Sequence, residues 1–507
     1  MRNLRRCIQG IFLLTFLFLL VQTESKGGDE LGYPVKIFLD FDPLILISVL
    51  FSSHVLVKGF YFSLILIVIT IFMGRVFCGW ICPMGTLHNI VGAFNKRQNR
   101  VVKKRWFRLK YYILFFLLAS SLFGVQLAGI LDPVSLLIRS LSLSIYPLLN
   151  YMVQAIFDTI YRTNVGALVA VSEFIYTCLK KGVLAFQQPF FYQGVFIGIL
   201  LLIIMALNLL EKRSWCRYLC PLGALLGILS SYSLLKKSIS EGCASCGACE
   251  VVCSSAVDED GRECLACMNC QDTCPEDAIT FGFRSGGSTP PDVRRRGVLV
   301  SVAAGVFSVP FLRIAPLSRM GNFHPALIRP PGALDEEEFL TRCIRCGECM
   351  KVCLTNGLQP TLFEAGLEGI WTPRLVPRIG FCEYRCTLCG QVCPTGAIKQ
   401  LAEKEKIKTK IGQAFIDSGR CLPHAHATPC IVCEEVCPTS EKAIWTEMVK
   451  VRDREGEDVI LKQPKVDLTL CIGCGICEAM CPVAGNPAIY VISTGETRSE
   501  KNQILLQ

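Results

Sequence analysis

Apolar and polar residues divide the chain near position 240. Before it, nearly unbroken apolar runs cover Cys7–Thr23, Phe60–Phe77, Tyr111–Leu131 and Phe190–Leu210. Each approaches the ~20 residues a helix needs to cross a bilayer, so the pattern predicts an α-helical transmembrane domain of about four spans. Further apolar stretches, such as Val165–Leu179, lie within a long segment, Ser135–Gln188, to which the pattern assigns no place. Beyond 240 the apolar runs are short and broken by Gly, Pro and Cys, which predicts small α+β modules. One longer run there follows Arg294-Arg295-Arg296 and continues to Phe311. It reads as a fifth span or as a twin-arginine export signal inside the chain.

Charge gives the spans a direction. The loop between the second and third runs holds Lys96, Arg97, Arg100, Lys103, Lys104, Arg105, Arg108 and Lys110, and Arg2, Arg5 and Arg6 precede the first run. Basic loops stay on the cytoplasmic side, which predicts an inside N-terminus. The first run lacks a small-x-small cleavage site near Glu24 and reads as a retained span. Much of the net charge of +10 sits in these flanks, so the expected partners are membrane lipid and not nucleic acid. The expected location is the cell inner (cytoplasmic) membrane, multi-pass.

The apolar half contains an internal repeat. Asp42-Pro43 after the first run corresponds to Asp132-Pro133 after the third, and both pairs are expected at the outer face. Cys78-Gly79-Trp80-Ile81-Cys82-Pro83 after the second run corresponds to Cys216-Arg217-Tyr218-Leu219-Cys220-Pro221 after the fourth. Cysteines at i and i+4 share a helix face, and the prolines interrupt each helix. If the copies pack about a pseudo-twofold axis, Cys78, Cys82, Cys216 and Cys220 meet at the cytoplasmic boundary. Four thiols there suit a further iron–sulfur cluster, a tetrahedral metal or a redox dithiol; plain helix packing is the alternative.

Thirty cysteines change the picture of the second half. Cys243, Cys246, Cys249 and Cys253, then Cys264, Cys267, Cys270 and Cys274, have the two-cluster ferredoxin spacing. The fourth cysteine of each run ligates the other cluster, which predicts Cys243, Cys246, Cys249 and Cys274 for one, and Cys253, Cys264, Cys267 and Cys270 for the other. Zinc would use paired rather than triplet thiols. Ser254 stands where proline is usual. Four more runs follow the linker Ser285–Pro291. The same crossing predicts Cys343, Cys346, Cys349 with Cys393; Cys382, Cys386, Cys389 with Cys353; Cys421, Cys430, Cys433 with Cys481; and Cys471, Cys474, Cys477 with Cys437. Two runs depart from the ideal spacing, at Cys382–Cys386 and Cys421–Cys430. His424 and His426 sit inside the longer gap and read as loop residues rather than ligands. Ala397-Ile398, Ala443-Ile444 and Ala488-Ile489 mark where short strands begin. Cys7 and Cys178 are left over in apolar context, and no histidine pair suggests haem.

Two resemblances follow from these motifs. The pattern Cys-Gly-Trp-x-Cys-Pro-x-Gly at Cys78–Gly85, with its copy Cys216–Gly223, resembles the NapH/MauN family of membrane proteins, a domain also found in NosR-like and CcoG-like proteins. The later cysteine runs, with Trp371-Thr372-Pro373 and Gly412-Gln413-Ala414, resemble the MauM/NapG ferredoxin-type proteins. The resemblances imply a quinol dehydrogenase-like membrane half fused to a ferredoxin half. The expected cofactors are six 4Fe-4S clusters, with a seventh at the membrane cysteines as a further option, and quinol as donor. The expected domains are 1–239, transmembrane; 240–284, a cytoplasmic two-cluster module; 285–335, linker; 336–495, an extracytoplasmic four-cluster module; and 496–507, a tail. The expected role is electron transfer from the quinone pool to an extracytoplasmic redox partner. A CcoG-like maturation factor and a NosR-like regulator are the alternatives, and no residue reads as a hydrolytic or group-transfer catalyst.

Overall fold

In the computed structural model, residues 1–24, 29, 31–94, 104–185, 187–253, 255, 263–283, 293–313, 324–452 and 456–503 are described. The basic positions 96–103, Ser254 and the linker Ser285–Pro291 lie outside them.

The apolar runs become helices, but several are shorter than the runs. The principal ones are α1 (Arg2–Gln22), α2 (Pro43–Ser53), α3 (Tyr61–Met73), α4 (Pro83–Ala93), α5 (Leu109–Leu122), α6 (Pro133–Ser140), α7 (Tyr146–Arg162), α8 (Gly166–Gly182), α9 (Gly194–Leu210), α10 (Pro221–Ser230) and α11 (Arg295–Leu312). Gly74 ends α3 with a positive φ of 73°, and Gly124 does the same after α5 with φ 79°. Only glycine enters that region without a Cβ clash. Helix α6 runs through a π-turn, Leu141–Ile145, into α7, so the segment with no assigned place begins as one continuous helix, Pro133–Arg162. That helix, α1 and α11 are each long and apolar enough to cross a membrane. Helix α11 lies along α5, with Gly305 against Phe116 and Ala119.

The bundle core joins Phe16, Leu44, Ile45, Leu114, Val134, Leu137, Ile204 and Leu226. Its outside is apolar as well: Phe62, Ile65 and Val68 on α3, Phe196, Ile199 and Leu202 on α9, and Leu299 and Phe307 on α11 are about half exposed or more. A surface this apolar is one that lipid covers.

The Asp-Pro pairs are not at a face. Asp42 and Asp132 are buried, their side chains meet, and each caps a helix that starts inside the bundle. Asp42 accepts from the N–H groups of Leu44 and Ile45, at 2.8 and 3.3 Å, and Asp132 from Ser135 at 2.8 Å. A side-chain acceptor satisfies backbone donors that lipid could not. The expectation of an outer-face position assumed that each apolar run crosses completely. Instead, the chain turns back within the bundle at both pairs.

The first module holds β1 (Leu235–Ile239) and β2 (Ile279–Phe283), paired antiparallel. The second holds β3 (Leu358–Pro360) with β4 (Pro373–Leu375), β5 (Gln413–Ile416) with β8 (Ile489–Ile492), and the long hairpin β6 (Ile444–Arg452) with β7 (Asp458–Val466). The Ala-Ile pairs sit where strand pairing begins: Ile398 bridges Ala333, Ile444 opens β6 and Ile489 opens β8. Ala278-Ile279 is a fourth such pair, opening β2. Residues 496–503, set apart in the sequence as a tail, pack back on the second module, where Glu496 and Asn502 are buried and Arg498 binds Glu336 at 2.9 Å.

The two modules cap opposite ends of the bundle. The first rests on the Cys78–Trp80 turn, where Trp80 Nε1 donates to the Ala266 carbonyl at 2.9 Å. The second rests on the other ends of α1 and α2, where Lys351 donates to the Thr23 carbonyl (2.9 Å) and Ser52 to the Thr341 carbonyl (2.6 Å).

Candidate iron–sulfur sites

Four of the six cysteine runs fold alike. Residues two and four after the first cysteine have positive φ: Ser245 and Gly247, Ala266 and Met268, Arg345 and Gly347, Gly473 and Gly475. Left-handed residues alternating with right-handed ones turn successive N–H groups toward one hollow, a nest suited to an anion. A single helical turn then carries the third cysteine, as in Ala248–Val252 and Ile476–Ala479. The two runs with irregular spacing lack this paired pattern. They are held instead by longer loops, and in the second His424 Nε2 lies 3.1 Å from the Pro464 carbonyl.

The quartets gather as crossed sets. Cys343, Cys346, Cys349 and Cys393 line one cavity. Cys353, Cys382, Cys386 and Cys389 line a second, and Cys421, Cys430, Cys433 and Cys481 a third. Cys437, Cys471 and Cys474 are mutual neighbours, with Cys477 beside the last two. All eight cysteines of the first module surround one hollow, in which Cys264 and Cys270 neighbour Cys253 and Cys267. Among the described residues no three His, Cys, Asp or Glu converge on a point the size of one ion. Four thiols that ring one cavity fit the corners of a cube of irons. Burial beside other thiols raises Cys264, Cys386, Cys433 and Cys474 to about 12, so iron must displace a proton from each.

Hydroxyls and N–H groups face the crossing cysteines. Thr439 Oγ1 is 3.3 Å from Cys437 Sγ, and the N–H groups of Ile398 and Ala488 donate to Cys393 and Cys481 at 3.4 Å. Such donors help set cluster potentials.

Cys78, Cys82, Cys216 and Cys220 also line one cavity. Cys82 and Cys220 are N-caps of α4 and α10, each followed by proline, and Gly223 N–H donates to Cys220 Sγ at 3.2 Å. Helix N-termini favour thiolates. The sequence reading missed the charges around them. Arg75, Lys110, Arg213 and Arg217 line the same cavity with Glu263 of the first module, and all four cations are buried. Glu263 Oε2 receives Arg75 and Lys110, each at 2.5 Å, and Tyr111 donates to Oε1 at 2.7 Å. Burial would raise the Glu263 carboxyl, but Lys110 and Arg75 hold it at about 2. Arg213 donates to the carbonyls of Cys78 (3.1 Å) and Gly85 (3.4 Å). In the sequence, Lys110 reads as one more orienting charge; the only hint of another role is that Arg75 and Glu263 each stand within three residues of a motif cysteine.

Residues 58–100, 193–240 and 387–412 match a family model described as a 4Fe-4S binding domain, and residues 464–484 match a second of the same description. The first two segments contain the four bundle thiols. The ferredoxin-type protein NapH of Escherichia coli K12 is 24% identical over 268 residues, covering 48% of this chain and 75% of NapH. The methylamine utilization ferredoxin-type protein MauM of Methylorubrum extorquens is 37% identical over 115 residues, covering 22% of this chain and 51% of MauM. The chain joins NapH/MauN-like and MauM/NapG-like ferredoxin-type parts. The putative electron transport protein YccM of Escherichia coli K12 is 26% identical over 228 residues, 43% of this chain and 54% of YccM. The chain thus spans about half the length of YccM and of MauM. No solved structure matches. The NapH-like part, with three helices fit to cross a membrane, and the 4Fe-4S domains make this an iron–sulfur electron-transport protein of membranes.

Proposed function

We propose that this chain is a wire through the cell inner membrane, oxidising quinol and passing electrons to an extracytoplasmic redox partner. The observation that carries it is the order of the cysteine quartets from one end of the molecule to the other. Cys243, Cys246, Cys249 and Cys274 come first, then Cys253, Cys264, Cys267 and Cys270, which adjoin the bundle thiols. At the other end, Cys343, Cys346, Cys349 and Cys393 adjoin the bundle. Cys349 neighbours Cys389 of the next set, Cys382 N–H donates to the Cys474 carbonyl at 2.8 Å, and Cys477 neighbours Cys433 of the last. One-electron transfer along six clusters, and a seventh at the bundle thiols, is the chemistry these sites supply when loaded.

The bundle thiols bridge the two ends. Pro133 lines their cavity, and Arg139, six residues along α6, lies against Gly347 beside Cys346. At 1.5 Å per residue that is about 9 Å of helix. The buried cations support the cluster reading of these thiols. Arg75, Lys110 and Arg213, three buried cations against the one carboxylate of Glu263, call for an anion in the cavity. A metal cluster held by four thiolates is anionic overall; a disulfide is neutral and would leave the cations unbalanced. Two pseudo-symmetric units, each with an Asp-capped helix and a Cys-x3-Cys-Pro turn, supply the two halves of the site. The first module faces the cytoplasm and the second the outside, with α11 as the span between them.

The test is iron and acid-labile sulfide on anaerobically purified full chain, with EPR during quinol titration. About 28 irons, from four per cubane, and reduction by a quinol are expected. About 24 irons removes the cluster at the bundle thiols; clusters that no quinol analogue reduces overturn the donor.

A further inference from the structure

Building on that reading, we propose that Glu263 is the positioning residue that seats the first ferredoxin module on the bundle thiols. The Cys253, Cys264, Cys267 and Cys270 site, rather than the Cys243, Cys246, Cys249 and Cys274 site, is then the one that exchanges electrons with them.

Glu263 directly precedes Cys264 and is the module's anion among the residues lining the thiol cavity. Its two oxygens take three donors from the bundle, Arg75, Lys110 and Tyr111. Arg75 and Lys110 are buried, so without Glu263 two cations lose their described counter-ion at once. The residues after it continue the contact. A Cβ at Gly79 would lie 2.4 Å from the Leu265 carbonyl, so that loop rests directly on the Cys78–Cys82 turn. Trp80 holds the next carbonyl, that of Ala266. Leu265, Ala266 and Cys267 are buried, whereas Cys243 and Cys246 are exposed. The module therefore presents one of its two sites to the bundle and turns the other outward. Electron tunnelling falls steeply with distance, and Glu263 supplies the charged part of the contact that fixes this distance, beside the Trp80–Ala266 hydrogen bond. Clusters held by Cys253, Cys264, Cys267 and Cys270 and by the bundle thiols would exchange one electron, the first oxidised and the second reduced, with no bond made or broken.

Glu263→Gln keeps the shape and removes the charge; Glu263→Asp keeps the charge one methylene shorter. Both are made in the full chain and purified anaerobically beside the wild type. Three readouts are taken: iron per chain, EPR spin–spin interaction between the first module and the bundle site, and the rate at which electrons given to the first module reach the second. Glu263→Gln is expected to keep its iron, lose the spin interaction and slow the transfer at least tenfold, with Glu263→Asp in between. Wild-type interaction and rate in Glu263→Gln overturn the proposal. Loss of the first module's iron in both variants also overturns it, because Glu263 would then serve the module's own fold. A wild-type chain with no paramagnetic group at the bundle thiols overturns the underlying reading, and shows itself without any variant.

Discussion

At the scale of single residues, the cysteines were legible and their counter-charges were not. A thiolate that binds a cluster repeats at a short fixed spacing, so Cys343, Cys346 and Cys349 announce themselves. A buried arginine has no spacing. Arg329, Glu336 and Arg498 show what such groups do away from the bundle. Glu336 takes Arg329 at 2.5 Å and Arg498 at 2.9 Å, all three largely shut off from solvent. Burial pushes the Glu336 carboxyl up, but the two guanidiniums outweigh it and hold it at about 2, against an ordinary 4.5. Glu336→Gln strips buried Arg329 of its carboxylate, while Arg498 keeps Glu496 at 2.6 Å, and is expected to cost about 3 kcal/mol at neutral pH, read as a lower urea midpoint. The sign with pH follows from linkage. A carboxyl depressed in the fold stabilises fully above its unfolded value and fades as pH falls through the folded one. The gap between wild type and variant is therefore constant down to about pH 5 and narrows below about 4.5. A gap that widens on acidification contradicts this assignment.

At the scale of elements, the apolar runs located the helices but not their breaks. Cys7–Thr23 and Phe190–Leu210 became α1 and α9 with shifted starts, because hydrophobicity alone marks a segment that lipid covers. The run Tyr111–Leu131 did not become one helix. It stops after Leu122 and re-enters as the turn Ala128–Leu131, because Gly124 takes a left-handed backbone and the chain must meet the second module. That meeting depends on close approach: a Cβ at Gly129 would lie 2.1 Å from the Ile344 carbonyl. Arg139 completes it, donating to the carbonyls of Ile130 and Arg345, each at 3.0 Å, and of Gly129 at 3.3 Å. Its guanidinium also stacks over Trp371, 4.5 Å from the ring centre. Gly129→Ala is expected to push the Cys343–Cys346 loop off the bundle at a cost of about 1–3 kcal/mol. Arg139→Met should do the same by stripping three buried carbonyls of their donor. In both variants iron stays bound while limited proteolysis releases the second module faster. Unchanged protease resistance in both would mean that the module is held elsewhere.

At the scale of the whole molecule, the sequence assigns the modules to opposite sides from charge and apolar runs, and what it leaves open is how far apart the bundle holds them. The structure separates the ends by the length of α5. Lys110 near its start meets Glu263 of the first module, and beyond its end Gly124 faces Arg313 and Thr341 at the edge of the second. Fourteen residues of helix span about 21 Å, less than the ~30 Å hydrocarbon core, so modules docked at both ends would sit partly at headgroup depth. This arrangement predicts opposite protease access. Hairpin β6–β7 exposes Lys450, Arg452, Lys462 and Lys465 to the solvent beside the last cysteine quartets. Trypsin added to intact spheroplasts should cut there and leave the first module whole, whereas in inverted vesicles the first module should be reached and the hairpin spared. Cutting of both modules from one side would place them in a single compartment. Electrons would then run along a surface rather than across the bilayer, and α11 would have to lie beside α5 without carrying the chain through.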